Sequence, residues 1–97
     1  MKHYILVQFC ELATDRDALQ RDIAALFERS LAIDGVHTVH VRPACITATN
    51  RYDLMICVDM AREALTAFDA SDVHREWKSR FGAYLRQKAV FDCEDDG

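Results

Sequence analysis

Along this chain the spacing of apolar residues switches repeatedly between a period of two and a period near 3.6, and each switch marks an element. From residue 3 to residue 9 the period is two and both faces are largely apolar, with His3, Ile5, Val7 and Phe9 on one and Tyr4, Leu6 and Gln8 on the other. That pattern, rich in β-branched and aromatic residues, predicts a buried strand. Leu19, Ile23, Leu26, Phe27 and Leu31 then fall at i, i+4, i+7, i+8 and i+12, a helical stripe with Arg16, Arg21, Glu28 and Arg29 largely outside it. Thr14 or Asp15 can cap the start of this helix, and Asp34-Gly35 is a usual C-terminal stop.

Val36 to Arg42 is dense in β-branched residues and stops at Pro43, which lacks the amide a ladder needs, so a second strand is predicted. A polar connection through Thr47, Thr49 and Asn50 leads to a third, in which Tyr52, Leu54, Ile56 and Val58 alternate with Asp53, Met55 and Cys57. Strands two and three should pair as an antiparallel hairpin with a long loop. Ala61, Ala64, Leu65 and Phe68 mark a short helix, interrupted at Ser71-Asp72, both good N-cap types. A further helical piece carries Val73, Trp77, Phe81, Tyr84 and Leu85 as its apolar stripe. Gly82 within it, a poor helix former, points to a close packing contact. Ala89, Val90, Phe91 and Cys93 form the last strand, followed by a solvated acidic tail.

The element order β-α-β-β-α-β defines an α+β class, a ferredoxin-like fold whose helices cover one face of a four-stranded antiparallel sheet. Helices on one side leave the other bare. Tyr4, Leu6, Met55, Cys57 and Phe91 lie on the face away from Ile5, Leu54 and Val90, and an apolar sheet face open to water is an aggregation hazard. Two-fold packing of this face against a second copy is therefore expected, giving a homodimer.

Composition narrows the class. The chain has 97 residues, a length suited to one domain, 1–97 with an acidic tail at 94–97, and is 51% hydrophobic and 29% charged, as in ordinary globular proteins. A net charge of −4 opposes nucleic acid or an anionic membrane surface as a partner. No apolar run approaches the ~20 residues of a membrane span and the N-terminus lacks the pattern of a signal peptide, so a cytoplasmic location is expected. Cys10, Cys45, Cys57 and Cys93 form no C-x-x-C pair and no zinc-finger spacing, so no metal site is expected, and the cysteines read as reduced, buried small hydrophobes.

Met1-Lys2-His3-Tyr4-Ile5-Leu6-Val7, Arg51-Tyr52-Asp53-Leu54, Ala64-Leu65-Thr66-Ala67-Phe68 through Val73-His74, and Val90-Phe91-Asp92, in this order and spacing, resemble the stress-responsive dimeric α/β-barrel (Dabb) domain family over nearly the whole chain. The resemblance implies a dimeric α/β barrel. It also implies a polar working pair, a Tyr and the second His of the helix segment, that polyketide-cyclase members use. Here the second His is kept as His74, whereas the Tyr is Phe68, the first His is Ser71, the Pro is Asp72, and the third-strand His is Leu54.

His74 lies in the first turn of its predicted helix and borders the stripe of Trp77 and Phe81. The helix dipole and partial burial both disfavour imidazolium there, leaving a neutral ring able to exchange a proton near pH 7. A histidine satisfied by partners within the fold would fit the same position. His3 shares the helix-covered face of the first strand and can meet His74. A pocket between sheet and helices would be lined by Ile5, Val7, Ile23, Phe27, Leu54, Ile56, Phe68, Trp77 and Phe81, with the two imidazoles as its few polar groups, although the same residues could equally fill a solid core. His37 and His40 lie on opposite strand faces and cannot chelate together. Asp53 and Asp59 are too far apart to work as a pair. There is no glycine-rich phosphate loop and no cofactor motif.

Two functions fit. One is a homodimeric barrel binding an apolar or aromatic small molecule. The other is a cyclase, isomerase or lyase in which His74 moves a proton next to a carbonyl and His3 orients the substrate. Phe68, which cannot donate a hydrogen bond, favours the first. Haem-degrading monooxygenases of related architecture, which ligate haem through a helix His, supply a smaller third alternative.

Overall fold

The structure, a computed structural model, describes residues 1–95. Strands β1 (Lys2–Phe9), β2 (Val36–Pro43), β3 (Leu54–Met60) and β4 (Leu85–Cys93) form one antiparallel sheet in the order β2-β3-β1-β4. The helices are α1 (Arg16–Glu28), α2 (Leu65–Asp69) and α3 (Asp72–Glu76). The architecture is the α+β, ferredoxin-like arrangement expected, with β2 and β3 as an antiparallel hairpin and the two most apolar strands, β1 and β3, at the centre.

Alternation sets the core. His3, Ile5, Val7 and Phe9 are buried, and Leu19, Ile23, Leu26 and Phe27 of α1 pack over them. Phe27 is the hub of an aromatic cluster, 5.2 Å from the Trp77 ring in an edge contact and 6.4 Å from the Phe68 ring. Asp15 caps α1 through its Oδ1, which accepts from the Ala18 N–H at 3.1 Å.

The structure corrects several local expectations. α1 tightens into a 3₁₀ turn over Arg29–Ala32, and the shorter period turns Leu31 outward (43% exposed) while Ser30 becomes buried, its hydroxyl donating to the Phe27 carbonyl at 2.6 Å. Gly35 opens β2 with φ +89°, and a Cβ there would stand 2.9 Å from the Ala64 Cβ, so close approach to the next helical segment demands glycine. β3 starts at Leu54 and not at Tyr52, because Asp53 serves as a junction. Its N–H donates to the Val7 carbonyl, its carbonyl accepts from Ala44 N–H, and its carboxylate accepts from Phe9 N–H at 2.8 Å.

The expected helix over 73–85 is broken into α3, a π turn (Trp77–Phe81) and a 3₁₀ turn (Gly82–Tyr84), and Leu85 belongs to β4. Pairing with β1 takes Leu85, which sits opposite Phe9. Gly82 makes no close contact: a Cβ there would meet nothing within 4 Å. Of the cysteines only Cys57 is buried, Cys10 and Cys93 being intermediate and Cys45 exposed in the connection after Pro43. His37 and His40 are exposed. In the acidic tail Glu94 pairs with Arg62 at 2.8 Å and Asp95 with the N-terminal amine at 3.2 Å, while Asp96 and Gly97 lie outside the described residues.

Candidate functional site

Register places the first histidine. His3 on β1 faces Asp92 on β4, and its Nδ1 hydrogen-bonds the Asp92 carboxylate at the sheet edge. A carboxylate only accepts, so Nδ1 carries the proton, and the ring is held in one tautomer and orientation. Nε2 has no hydrogen-bond partner among the described residues. His3 is 5% exposed, and its ring makes an edge contact with Phe68 at 5.5 Å.

The break between α2 and α3 places the second. Ser71 caps α3, accepting from His74 N–H at 3.2 Å and donating to the Phe68 carbonyl at 2.6 Å, so one hydroxyl ties the end of α2 to the His74 backbone. The His74 ring makes an edge contact with Phe68 at 5.8 Å, and its Nε2 lies 3.9 Å from Asp69. Phe68 therefore stands against both imidazoles. Burial lowers the His74 pKa below the ordinary 6.5, with Lys78, Lys88 and His3 adding to the effect and Asp69 opposing it. The cause differs in part from the expected helix dipole, since α3 has only five residues.

Both rings open onto one cleft of about 410 Å³ between the helical segment and β4. Its walls are Ile5, Leu65, Trp77 and Val90, and its charged groups are Asp69, Lys78, Lys88 and Asp92. Of the residues expected to line a pocket, Ile5 and Trp77 do so. Val7, Ile23, Phe27, Leu54, Ile56, Phe68 and Phe81 instead fill the solid core, each at most 3% exposed, because α1 seats directly on β1 and β3. The cleft sits to one side, where β4 is an edge strand the helices do not reach and Val90 remains 53% exposed.

Lys78, Lys88 and Asp92 escaped the sequence reading. The π turn directs Lys78 toward the cleft, and nothing in local periodicity announced that turn. Asp92 was accessible in principle: once β4 pairs with β1 in antiparallel register, residues summing to 95 face each other, which sets Asp92 against His3.

On the opposite sheet face, the ladder pairs Tyr4 with both Cys57 and Phe91, and Leu6 with Met55, so these residues form one surface. Phe91 is 61% exposed, Tyr4, Leu6 and Met55 are intermediate, and Cys57 is buried. Burial pushes the Cys57 thiol pKa up, although Tyr4 and Lys2 pull against it.

No protein-family model matches the chain, and no curated protein matches it in sequence. Solved structures do share the fold. A dimeric ferredoxin-like protein of unknown function from Thermobifida fusca superposes with a TM-score of 0.77 at 19% identity, over 93% of this chain and 85% of that one. A protein of Arabidopsis thaliana gives 0.77 at 17% identity, over 99% and 95%. A Dabb family protein with a ferredoxin-like fold from Mesorhizobium loti gives 0.73 at 13% identity, over 99% and 96%. The fold is thus that of the ferredoxin-like proteins to which the sequence motifs point, a Dabb protein among them. At these identities the likeness extends to the fold alone. No helix among the described residues is long and apolar enough to cross a membrane.

Proposed function

We propose that this chain is a Dabb-type protein that self-associates through its helix-free sheet face and binds a small aromatic molecule bearing an anionic or enolisable oxygen group in the cleft of His3 and His74. The observation that carries the binding reading is the convergence of two imidazoles, two lysines and the carboxylates of Asp69 and Asp92 on a cleft whose remaining walls are apolar. Ile5, Trp77 and Val90 offer contact to a ring, and Lys78 and Lys88 supply donors for an anionic oxygen, the Asp92 carboxylate being already bound to His3. These lysines narrow the expected apolar or aromatic ligand to an aromatic one that carries a polar oxygen group.

Self-association rests on the apolar centre formed by Tyr4, Leu6, Met55 and Phe91, rimmed by the Lys2–Asp59 ion pair at 3.3 Å. The Thermobifida fusca protein of the same fold is dimeric, which supports the same reading.

A catalytic reading has its own support in the His3–Asp92 pair. A carboxylate that fixes one ring nitrogen leaves the other as a base or acceptor, and a neutral His74 across Phe68 can serve as the partner acid or base. One imidazole would take the proton from carbon next to a carbonyl and, as the imidazolium so formed, return it to another position of the substrate while the second ring orients the oxygen. Phe68 lacks the hydroxyl that would polarise the carbonyl, so binding stands first.

Salicylate is a suitable probe, since it joins an aromatic ring to a carboxylate and a phenol. Titrated by NMR, it should shift His3, His74 and Val90 resonances saturably, and His74→Ala should weaken it about tenfold while leaving the fold intact. Saturable binding that is unchanged in both His74→Ala and Lys88→Gln would overturn the assignment of the site.

A further inference from the structure

At the other end of β1, ~20 Å from His3 by strand geometry, lies a second cleft, of about 350 Å³. Three guanidinium-bearing residues, Arg16, Arg51 and Arg86, line it, together with the hydroxyls of Thr47 and Thr49. The one carboxylate among its walls, Asp53, is already engaged. It accepts from Phe9 N–H at 2.8 Å and lies 3.5 Å from Arg16. Acidic residues outnumber basic ones in this chain, 16 to 12, yet three cations meet here against one anion.

The cleft is also partly preorganised. The Arg16 guanidinium lies over the Phe9 ring, 5.6 Å from its centroid, and is held from the side by Asp53. The Gln8 side-chain amide donates to the Arg51 carbonyl at 2.8 Å, fixing the loop, and the Arg51 guanidinium donates to the Asn50 side-chain oxygen. Neither Arg51 nor Arg86 has a carboxylate partner among the described residues.

We propose that this cleft binds a phosphate group, either as inorganic phosphate or as a phosphate monoester. Three guanidinium groups less one carboxylate leave two positive charges, which a phosphate dianion balances. Its terminal oxygens accept from several donors at once, as planar guanidinium forks require, whereas a carboxylate offers only two oxygens and one charge. The site is separate from the imidazole cleft and stands or falls independently of it.

The test is an NMR titration of the full chain at low ionic strength with inorganic phosphate, with phenyl phosphate and with acetate. Both phosphates should saturate shifts of the amides at 47–51 and 86, and acetate should bind about tenfold more weakly. Arg51→Gln and Arg86→Gln, both at exposed positions, should each weaken phosphate about tenfold, and Arg86→Lys, which keeps charge but loses the fork, by less. Tighter binding of phenyl phosphate would identify an esterified ligand, and tighter binding of inorganic phosphate the free anion. Shifts that rise linearly without saturating, that acetate reproduces at equal concentration, or that persist in both Gln variants would overturn the proposal.

Discussion

The two faces of β1 differ only in which side of the chain a residue occupies, yet they have opposite fates. Ile5, Val7 and Phe9 are buried under α1, while Tyr4, Leu6 and Gln8, each one position away, remain half-exposed. Both sets are largely apolar, so hydrophobicity does not separate them. The separation comes from having helices on one side only. Phe27 and Trp77 complete the first face within the chain, whereas nothing among the described residues completes the second. The covered face is itself uneven: it is closed over β1 and β3 and open beside β4, which is where the imidazole cleft forms.

The largest effect should come from the closed face. Phe27→Ala removes the hub of the aromatic cluster and leaves a cavity the helices cannot collapse, and should lower unfolding free energy by ~3–5 kcal/mol in denaturant titrations. Equal loss from the half-exposed Leu6→Ala would erase the contrast between the faces.

Leu6→Asp should act on association instead. A charge at the centre of the proposed interface is expected to raise the dissociation constant of the dimer by roughly 30- to 150-fold, or ~2–3 kcal/mol, seen by sedimentation at micromolar concentration. A wild-type chain that sediments as a monomer, or a mutant of unchanged mass, would break this half of the comparison.

A smaller effect concerns acid. Because the His74 pKa is lowered in the fold, the unfolded chain takes up this proton first as pH falls below about 6.5. Stability from this group is therefore full above 6.5, declines on acidification, and levels off below the lowered folded value. His74→Gln removes that contribution, so wild type and mutant should converge in melting temperature, or reverse order, between pH 7.5 and pH 5. An NMR midpoint for His74 at or above 6.5 would contradict the burial that the cleft imposes.

The mildest difference is chemical. Cys57 on the open face is buried with its thiol pKa raised, and Cys45 is exposed, so iodoacetamide should alkylate Cys45 at least about tenfold faster in the native protein. Comparable rates without denaturant would place Cys57 within reach of solvent.

What local pattern determined here is considerable. Alternation in residues 3–9, the 3.6 spacing of Leu19, Ile23, Leu26 and Phe27, and the stops at Gly35 and Pro43 determine the element order, because side-chain burial repeats with the backbone period. The same pattern identified His3 and His74 as polar groups on apolar faces and grouped Tyr4, Leu6, Met55, Cys57 and Phe91 on one surface. Tertiary structure alone decided the rest. The 3₁₀ and π turns that expose Leu31 and divide the last helix follow from fitting Ser30, Trp77 and Phe81 to a fixed sheet, which no local period encodes. Asp92 reaches His3 across 89 residues of sequence through strand register. Whether Phe68 and Ile56 would line a pocket or fill a core depended on how closely α1 settles on the sheet, a balance of packing that becomes visible only when all the elements are in place.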